Sequence, residues 1–106
     1  MVTPFQSKVY ALCSRIPKGR VTTYKILAEK LKTKAYRAVG QALNKNPFAP
    51  RVPCHRVVAH NGTLGGFAHG SKEKERLLTQ EGVRVKTHSI VDFHKTMYTF
   101  NEGKKS

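Results

Sequence analysis

The chain has 106 residues, a length that suits one domain with a single modest core. Lys and Arg number 20 against 6 Asp and Glu, and the resulting net charge of +14 favours a polyanionic partner. Eleven of the basic residues and only one acid, Glu29, lie in the first 53 positions, so we expect the partner-facing surface there.

Several classes of protein are excluded by the same data. No apolar run is long enough to span a membrane, and the N-terminus has no signal-peptide pattern. The two cysteines, Cys13 and Cys54, form neither a disulfide framework nor a zinc-binding spacing. We therefore expect a cytoplasmic protein (nuclear in a eukaryote) that binds no metal and makes no membrane contact.

The opening segment predicts a helix over residues 4–16, with Thr3 as N-cap and Pro4 at the first helical position. Its apolar residues recur at helical spacing, and they are Phe5, Val9, Leu12, Cys13 and Ile16. Cys13 lies on this stripe, so we interpret it as a core residue.

Two further helices follow in the basic half. A short extended entry leads to a helix of about nine residues that begins at Thr23. After about three residues, "KAYRAVGQALNKNP" gives the clearest helical period, with Ala38, Val39, Ala42 and Leu43 on one side. This pair predicts a helix-turn-helix whose second helix lies on DNA.

The opposite face of the second helix carries Arg37, Gln41 and Asn44, which are hydrogen-bond donors suited to phosphates or bases. Gly40 lies among them, although glycine inside a helix costs about 1 kcal/mol relative to alanine. A nucleic-acid backbone that comes close to the helix would explain Gly40. Close packing of another helix would explain it almost as well.

The second half predicts a β-hairpin and a helix. Residues 57–59 form the first strand, Asn61 and Gly62 the turn, and residues 64–67 the returning strand. A helix capped by Ser71 ends at Gly82, with Leu77 and Leu78 inward. Residues 83–100 suggest a further strand or an extended tail, and residues 101–106 a disordered end. The fold class is therefore α/β, a small single domain over residues 1–100 with a winged-helix-like helix-turn-helix.

Cys54 in "PCHRV" is a candidate nucleophile because His55 and Arg56 follow it directly. A turn at Pro53 is needed to bring thiol and imidazole together, since neighbours in a strand point to opposite faces. Glu81 falls near the buried stripe of its helix and could orient His55, or it could lie exposed at a frayed helix end. A buried inert cysteine, a zinc site with His60 and His69, and a cysteine hydrolase are the alternatives.

Five motifs together resemble one family. They are "VTTY" at 21–24, "RAVGQALNKNP" at 37–47, "PCHRV" at 53–57, "GGF" at 65–67 and "LLTQEG" at 77–82. In this order they are similar to the methylated-DNA--protein-cysteine methyltransferases, which repair guanine alkylated at O6. The chain begins almost at the first helix of the alkyl-transfer domain of that family, and it resembles this C-terminal domain alone.

The resemblance implies that Cys54 takes the alkyl group in one irreversible transfer, activated through water by His55, which Glu81 orients. Tyr24 would give a proton to the leaving guanine, and Asn46 would brace the active-site turn. No cofactor is implied.

For DNA recognition, the resemblance implies that Arg37 enters the base stack in place of the flipped nucleotide. The second helix would lie in the minor groove, where Ala38 and Gly40 permit close approach. We also assign Gln41, Asn44 and Arg56 to the DNA-binding set, and the substrate pocket to Leu43, Val57, Phe67 and Ala68.

The expected partner is double-stranded DNA that contains O6-alkylguanine, and we expect the protein to be a monomer. Phe67 stands where many relatives have tyrosine. A sister group of alkyltransferase-like proteins lacks the cysteine and only binds lesions, whereas this chain keeps it. The alternative function is a basic DNA-binding or lesion-sensing module in which Cys54 is structural.

Overall fold

Short strands are interspersed among helices along the whole chain. The structure is a computed structural model that describes residues 2–48, 51–64 and 71–100. Its elements are α1 (Pro4–Cys13), β1 (Thr22–Thr23), α2 (Tyr24–Lys30), α3 (Tyr36–Asn44), a 3-10 helix (Cys54–Arg56), β2 (Val57–Val58), α4 (Ser71–Gln80), β3 (Val85–Lys86), β4 (Ser89–Ile90) and α5 (Phe93–Thr96). The predicted fold class, a small α/β domain with a helix-turn-helix, is confirmed.

Helix α1 begins as predicted and ends earlier than predicted. The Thr3 side chain accepts a hydrogen bond from the backbone N–H of Gln6, and the Gln6 side chain accepts one from the backbone of Thr3. The α-helix stops at Cys13, and the chain continues to Ile16 in tighter turns, in which the Ile16 N–H donates to the Cys13 carbonyl at 3.1 Å. Ile16 is therefore buried, as the apolar stripe predicts, but outside the helix.

The connection between α2 and α3 is longer than predicted, because α2 ends at Lys30 and α3 begins at Tyr36. Lys32 has a positive φ of 58°, and the Thr33 N–H donates to the Ala28 carbonyl at 3.0 Å. This is the Schellman arrangement, which normally has glycine at the left-handed position. A lysine in that position gives no sequence signal for the helix end, so the sequence pattern overestimates the length of α2.

The predicted hairpin over residues 57–67 is described only as far as its turn, across which the Ala59 N–H donates to the Thr63 carbonyl at 2.9 Å. Strand β2 pairs in parallel with β1, with Thr22 opposite Val57 and Thr23 opposite Val58. The turn itself forms at Gly62, where φ is +90°, but the Leu64 N–H that follows donates to the His88 carbonyl at 3.0 Å. Residues 65–67 of the predicted returning strand lie outside the described residues.

One hairpin in the described part of the chain joins β3 and β4, with Val85 opposite Ile90. Its turn residues, Thr87 and His88, have φ values of 51° and 65°, as a type I′ turn requires. Such turns usually contain Asn-Gly, so Thr-His does not announce one in the sequence. After α5, Met97 forms a parallel bridge with Val21 on β1's N-terminal side.

Two apolar clusters make up the core. The first lies among α1, α2 and α3, contains Cys54 and Val57, and includes Phe100 near the end of the described chain. The second is built on Val58 and the end of α4. Neighbouring residues of β2 thus point into different clusters, which fixes the position of the 3-10 helix just before it.

Candidate active site and nucleic-acid interface

Cys54 lies in a helical turn of the kind that the sequence reading requires. It begins the 3-10 helix after Pro53, and the Arg56 N–H donates to the Pro53 carbonyl at 2.9 Å. Only 3% of Cys54 is exposed, and His55 is also buried. The helical twist places consecutive side chains around one axis instead of on opposite faces of a strand.

Asn46 holds this turn from the end of α3. Its Nδ2 donates to the Val52 carbonyl at 2.9 Å, and its Oδ1 accepts from the Phe48 N–H at 2.9 Å. The amide is buried, so both hydrogen bonds are shielded from water. The side chain also hydrogen-bonds Cys54. Asn46 therefore fixes both the loop and the thiol.

Glu81 is paired with His55, and the alternative of a frayed, exposed Glu81 is wrong. His55 Nε2 lies 2.9 Å from Glu81 Oε2, and the Glu81 side chain is only 12% exposed. A carboxylate acceptor favours the tautomer with the proton on Nε2, which leaves the lone pair on Nδ1. Glu81 follows the last residue of α4, where Gly82 at φ +91° and the Val83 N–H, which donates to the Leu78 carbonyl, complete a Schellman motif.

Arg56, which we assigned to the DNA-binding set, binds the same carboxylate. Its Nε donates to Glu81 Oε1 at 2.9 Å and its Nη2 to Glu81 Oε2 at 2.7 Å. Its Nη1 donates to the Ile16 carbonyl at 2.7 Å. The guanidinium thus donates to protein acceptors from all three of its nitrogens. Adjacency to Cys54 could not indicate this partner, because Glu81 is distant in sequence.

Burial sets the protonation states of Cys54 and His55. It raises the pKa of the Cys54 thiol, and the hydrogen bond from Asn46 and the nearby Lys74 ammonium offset this only in part. Burial also lowers the pKa of His55, and it outweighs the effect of Glu81, which raises it. At neutral pH the resting site therefore contains a thiol and a neutral imidazole.

The pKa of Glu81 shifts in the direction that keeps it charged. Burial alone would raise this pKa, but the hydrogen bonds from Arg56 and His55 together outweigh burial and hold it below the usual value. The result is a fixed negative charge beside the imidazole.

Lys74 is a site residue that the sequence interpretation missed. It lies four residues before Leu78, on the inward stripe of α4, and it is fully buried. Its Nζ donates to the Val57 carbonyl at 2.7 Å and lies 5.8 Å from the centre of the Tyr24 ring. Burial lowers the pKa of Lys74 to about 8. A lysine at a core position of a helix was the available signal.

Tyr24, the first residue of α2, borders two cavities. One, of about 450 Å³, is also lined by Lys25, Tyr36, Ala59 and His60. The other, of about 390 Å³, is also lined by Tyr36, Arg37, Gly40 and Asn44. Burial raises the pKa of Tyr24 to about 12, so its phenol keeps its proton at neutral pH.

The two faces of α3 differ as the sequence predicts. Val39, Ala42 and Leu43 are buried, whereas Arg37, Gln41 and Asn44 are exposed. Ala38 and Gly40 are half-buried between them.

Gly40 faces open space within the described chain. A Cβ built on Gly40 meets no described atom within 4 Å apart from the helix's own backbone. The alternative that another helix packs closely on Gly40 therefore finds no support among these residues. The face of α3 that carries Gly40 is therefore open to a binding partner.

The predicted pocket residues are only partly described. Leu43 and Val57 are buried in the same apolar cluster as Cys54. Phe67 and Ala68 lie outside the described residues. Across residues 2–48, 51–64 and 71–100, no group of three or more His, Cys, Asp or Glu could hold a metal ion. No helix in the described ranges is long and apolar enough to span a bilayer.

Comparison with known proteins identifies relatives of this arrangement. A family model described as 6-O-methylguanine DNA methyltransferase, DNA binding domain, matches residues 4–83. A methylated-DNA--protein-cysteine methyltransferase of Saccharolobus islandicus is 50% identical over 82 residues, which are 77% of this chain and 53% of that protein. The chain thus spans about half the length of the curated relatives it matches.

Two solved structures show the same likeness in three dimensions. The O6-methylguanine-DNA methyltransferase of Pyrococcus kodakaraensis has a TM-score of 0.72 and 49% identity, over 77% of this chain and 48% of that one. S. pombe Atl1, in complex with damaged DNA containing O6-carboxymethylguanine, has a TM-score of 0.77 and 28% identity, over 89% of this chain and 94% of that one. Because the family model covers most of the sequence and these relatives share its fold, the chain belongs to the family of the 6-O-methylguanine DNA methyltransferase DNA-binding domain.

Proposed function

We propose that this chain repairs DNA by transferring the alkyl group of O6-alkylguanine to Cys54, in a reaction that each molecule performs once. Residues 1–100 correspond to the alkyl-transfer domain of the family and act as one DNA-binding unit that works as a monomer. The observation that carries the proposal is that His55, which directly follows the buried thiol in a helical turn, is hydrogen-bonded to Glu81.

In the proposed reaction, the thiol proton leaves through water to Nδ1 of His55 as sulfur attacks the alkyl carbon. The S–C bond forms as the C–O6 bond breaks, and the bonding electrons pass into the guanine ring. Tyr24, protonated at neutral pH, gives a proton to that ring. The proton taken up at His55 balances the one that Tyr24 gives, so the products are a thioether and guanine without net change in charge.

Each supporting residue has a separate task. Glu81 stabilises the imidazolium that forms at His55, and Arg56 keeps Glu81 ionised and in place. Asn46 holds the turn, while the Lys74 ammonium lowers the pKa of the Cys54 thiol against the effect of burial. A stable thioether has no simple return to thiol, which explains a single turnover. No organic cofactor enters this chemistry.

For recognition, α3 lies in the minor groove, with the small residues Ala38 and Gly40 at the close approach. Arg37 enters the base stack in place of the extruded nucleotide, while Gln41 and Asn44 contact the DNA. The exposure of these three polar side chains and the open space at Gly40 support this orientation. Leu43, Val57, Phe67 and Ala68 are the proposed pocket walls.

Intact-mass measurement tests the proposal. After incubation with duplex DNA that contains O6-methylguanine, we expect the protein to gain the mass of one methyl group on the peptide that carries Cys54. Cys54→Ser should abolish the gain and leave DNA binding largely intact. A protein that binds the duplex but gains no mass would contradict alkyl transfer.

A lesion-sensing module with a structural Cys54 is the second candidate. The likeness to Atl1 supports it, because that likeness extends over nearly the whole of both chains. The same mass measurement separates the two functions.

The role of Arg37 has its own test. Arg37→Ala should slow transfer from duplex DNA far more than transfer from free O6-methylguanine, because only the duplex requires an extruded base. Equal losses on both substrates would contradict the insertion of Arg37.

A further inference from the structure

Tyr36 is an aromatic residue at the DNA-facing surface that the proposed mechanism does not use. It is the first residue of α3, directly before Arg37, and 45% of it is exposed. Phe48, the other large exposed apolar residue in the described chain, packs edge to face on Tyr10 with ring centres 5.9 Å apart. No aromatic ring is seen against Tyr36 among the described residues.

Tyr36 lines both of the cavities that Tyr24 borders. It lines the cavity that reaches Arg37, Gly40 and Asn44, which is the side that faces the groove in the proposed function. It also lines the cavity on the other side, where Lys25 is found. Tyr24, Tyr36 and Arg37 thus line one cavity, so a nucleotide that leaves the duplex near Arg37 and enters this cavity meets the Tyr36 ring.

The chemistry of this passage suits a nucleotide. Aromatic rings stack on nucleobases and pack on sugars without regard to sequence, and stacking on one base changes affinity by about tenfold to a hundredfold. The cations of Lys25 and Arg37 line the cavities on either side and attract the phosphates that flank the nucleotide. An exposed ring that shares its cavities with two cations thus suits a flat base or sugar flanked by phosphates.

We propose that Tyr36 is a positioning residue that packs its ring against the extruded nucleotide and holds it at the entrance to the Tyr24 side of the site. This inference rests on the proposed function. It predicts that Tyr36 acts on the extruded state of the DNA and has no part in the chemistry at Cys54.

The experiment compares Tyr36→Phe, Tyr36→Leu and Tyr36→Ala with the unchanged chain in single-turnover methyl transfer. Each protein reacts with a duplex that contains O6-methylguanine and with the free base O6-methylguanine. We expect Tyr36→Phe to retain the duplex rate, because it keeps the ring. Tyr36→Leu and Tyr36→Ala should lose about tenfold or more on the duplex and react with the free base at the unchanged rate.

Binding of the same variants, each combined with Cys54→Ser, gives a readout that does not require transfer. Tyr36→Ala should weaken affinity for the lesion duplex more than for an undamaged duplex, at every salt concentration. Lys34→Ala is the matched control, since Lys34 is an exposed cation just before α3. It should weaken both duplexes equally and reduce the dependence of binding on salt.

The outcomes separate the two proposals. If the unchanged chain gains no methyl group from either substrate, the proposed transfer function is wrong. If it reacts with both substrates but Tyr36→Ala keeps its duplex rate, the role of Tyr36 is overturned. A Tyr36→Leu protein equal to the unchanged chain would also overturn it, because apolar volume alone would then suffice.

Discussion

Replacing Glu81 by Gln should destabilise the protein by about 3 kcal/mol at pH 7. The carboxylate receives three N–H contacts, from His55 Nε2 at 2.9 Å, Arg56 Nε at 2.9 Å and Arg56 Nη2 at 2.7 Å. Hydrogen bonds to a charged group contribute roughly 1.5–3 kcal/mol each, and the amide of Gln keeps one acceptor oxygen. The remaining exposure of Glu81, 12%, places the loss at the lower end of the range for a broken buried pair.

The loss should depend on pH in a defined direction. The folded-state pKa of Glu81 lies below its ordinary value, so the contribution of its charge is complete above pH 4.5 and disappears as the pH falls through the folded-state pKa. The difference in unfolding free energy between the unchanged chain and Glu81→Gln should therefore shrink below pH 4.5.

Urea unfolding at several pH values measures this difference, with Glu73→Gln as the matched control. Glu73 also receives two hydrogen bonds from one arginine, Arg76, but that pair is exposed to solvent on α4. Water and salt weaken such a pair, so Glu73→Gln should change stability much less than Glu81→Gln. Equal effects of the two substitutions would refute the argument from burial.

Three other predictions follow from the site and the helix ends. The rate of Cys54 alkylation by iodoacetamide should rise with a midpoint above pH 9.0, because burial raises the pKa of the thiol. A midpoint near neutral pH would contradict the buried thiol. Lys32→Gly should stabilise the chain by about 1 kcal/mol, since Lys32 has a φ of 58°. Gly82→Ala should destabilise it by about 1 kcal/mol or more through backbone strain alone, since the added Cβ meets no described atom within 4 Å. Thermal unfolding would measure both changes, and effects of the same sign would contradict this reading of the two helix ends.

Local patterns in the sequence predict the helices well. Thr3 and Thr23 cap α1 and α2 as expected, and the apolar period of α3 separates its buried and exposed faces. These features depend on residues within one or two helical turns, which is the range over which side-chain spacing carries information. The sequence does not predict the turn at Lys32 that follows α2 or the hairpin turn at Thr87. Neither turn uses the residue type that normally adopts a positive φ.

Contacts between site residues that are distant in sequence are harder to predict than the helices. The position of Glu81 at the inward end of its helix indicates that it needs a partner, and the structure supplies His55. The same carboxylate also binds Arg56, which local reasoning assigned to DNA. The leucines of α4 indicate its buried face, but they do not indicate that Lys74 is buried with them or that it binds the Val57 carbonyl. In each case the deciding contact joins segments that no periodicity connects.

Residues 96–100, which follow the hairpin of β3 and β4, pack against the first core cluster. Val21 donates its backbone N–H to Thr96 and accepts from the Tyr98 N–H, while Phe100 is buried among α1, α2 and α3. The ribosome must therefore extend the chain as far as Phe100 before helices α1, α2 and α3 gain this apolar neighbour. Nascent chains that stop short of Phe100 would leave that cluster open. Synthesis of the chain through Phe100 thus completes the apolar surroundings of Cys54, a thiol that in the proposed chemistry reacts only once.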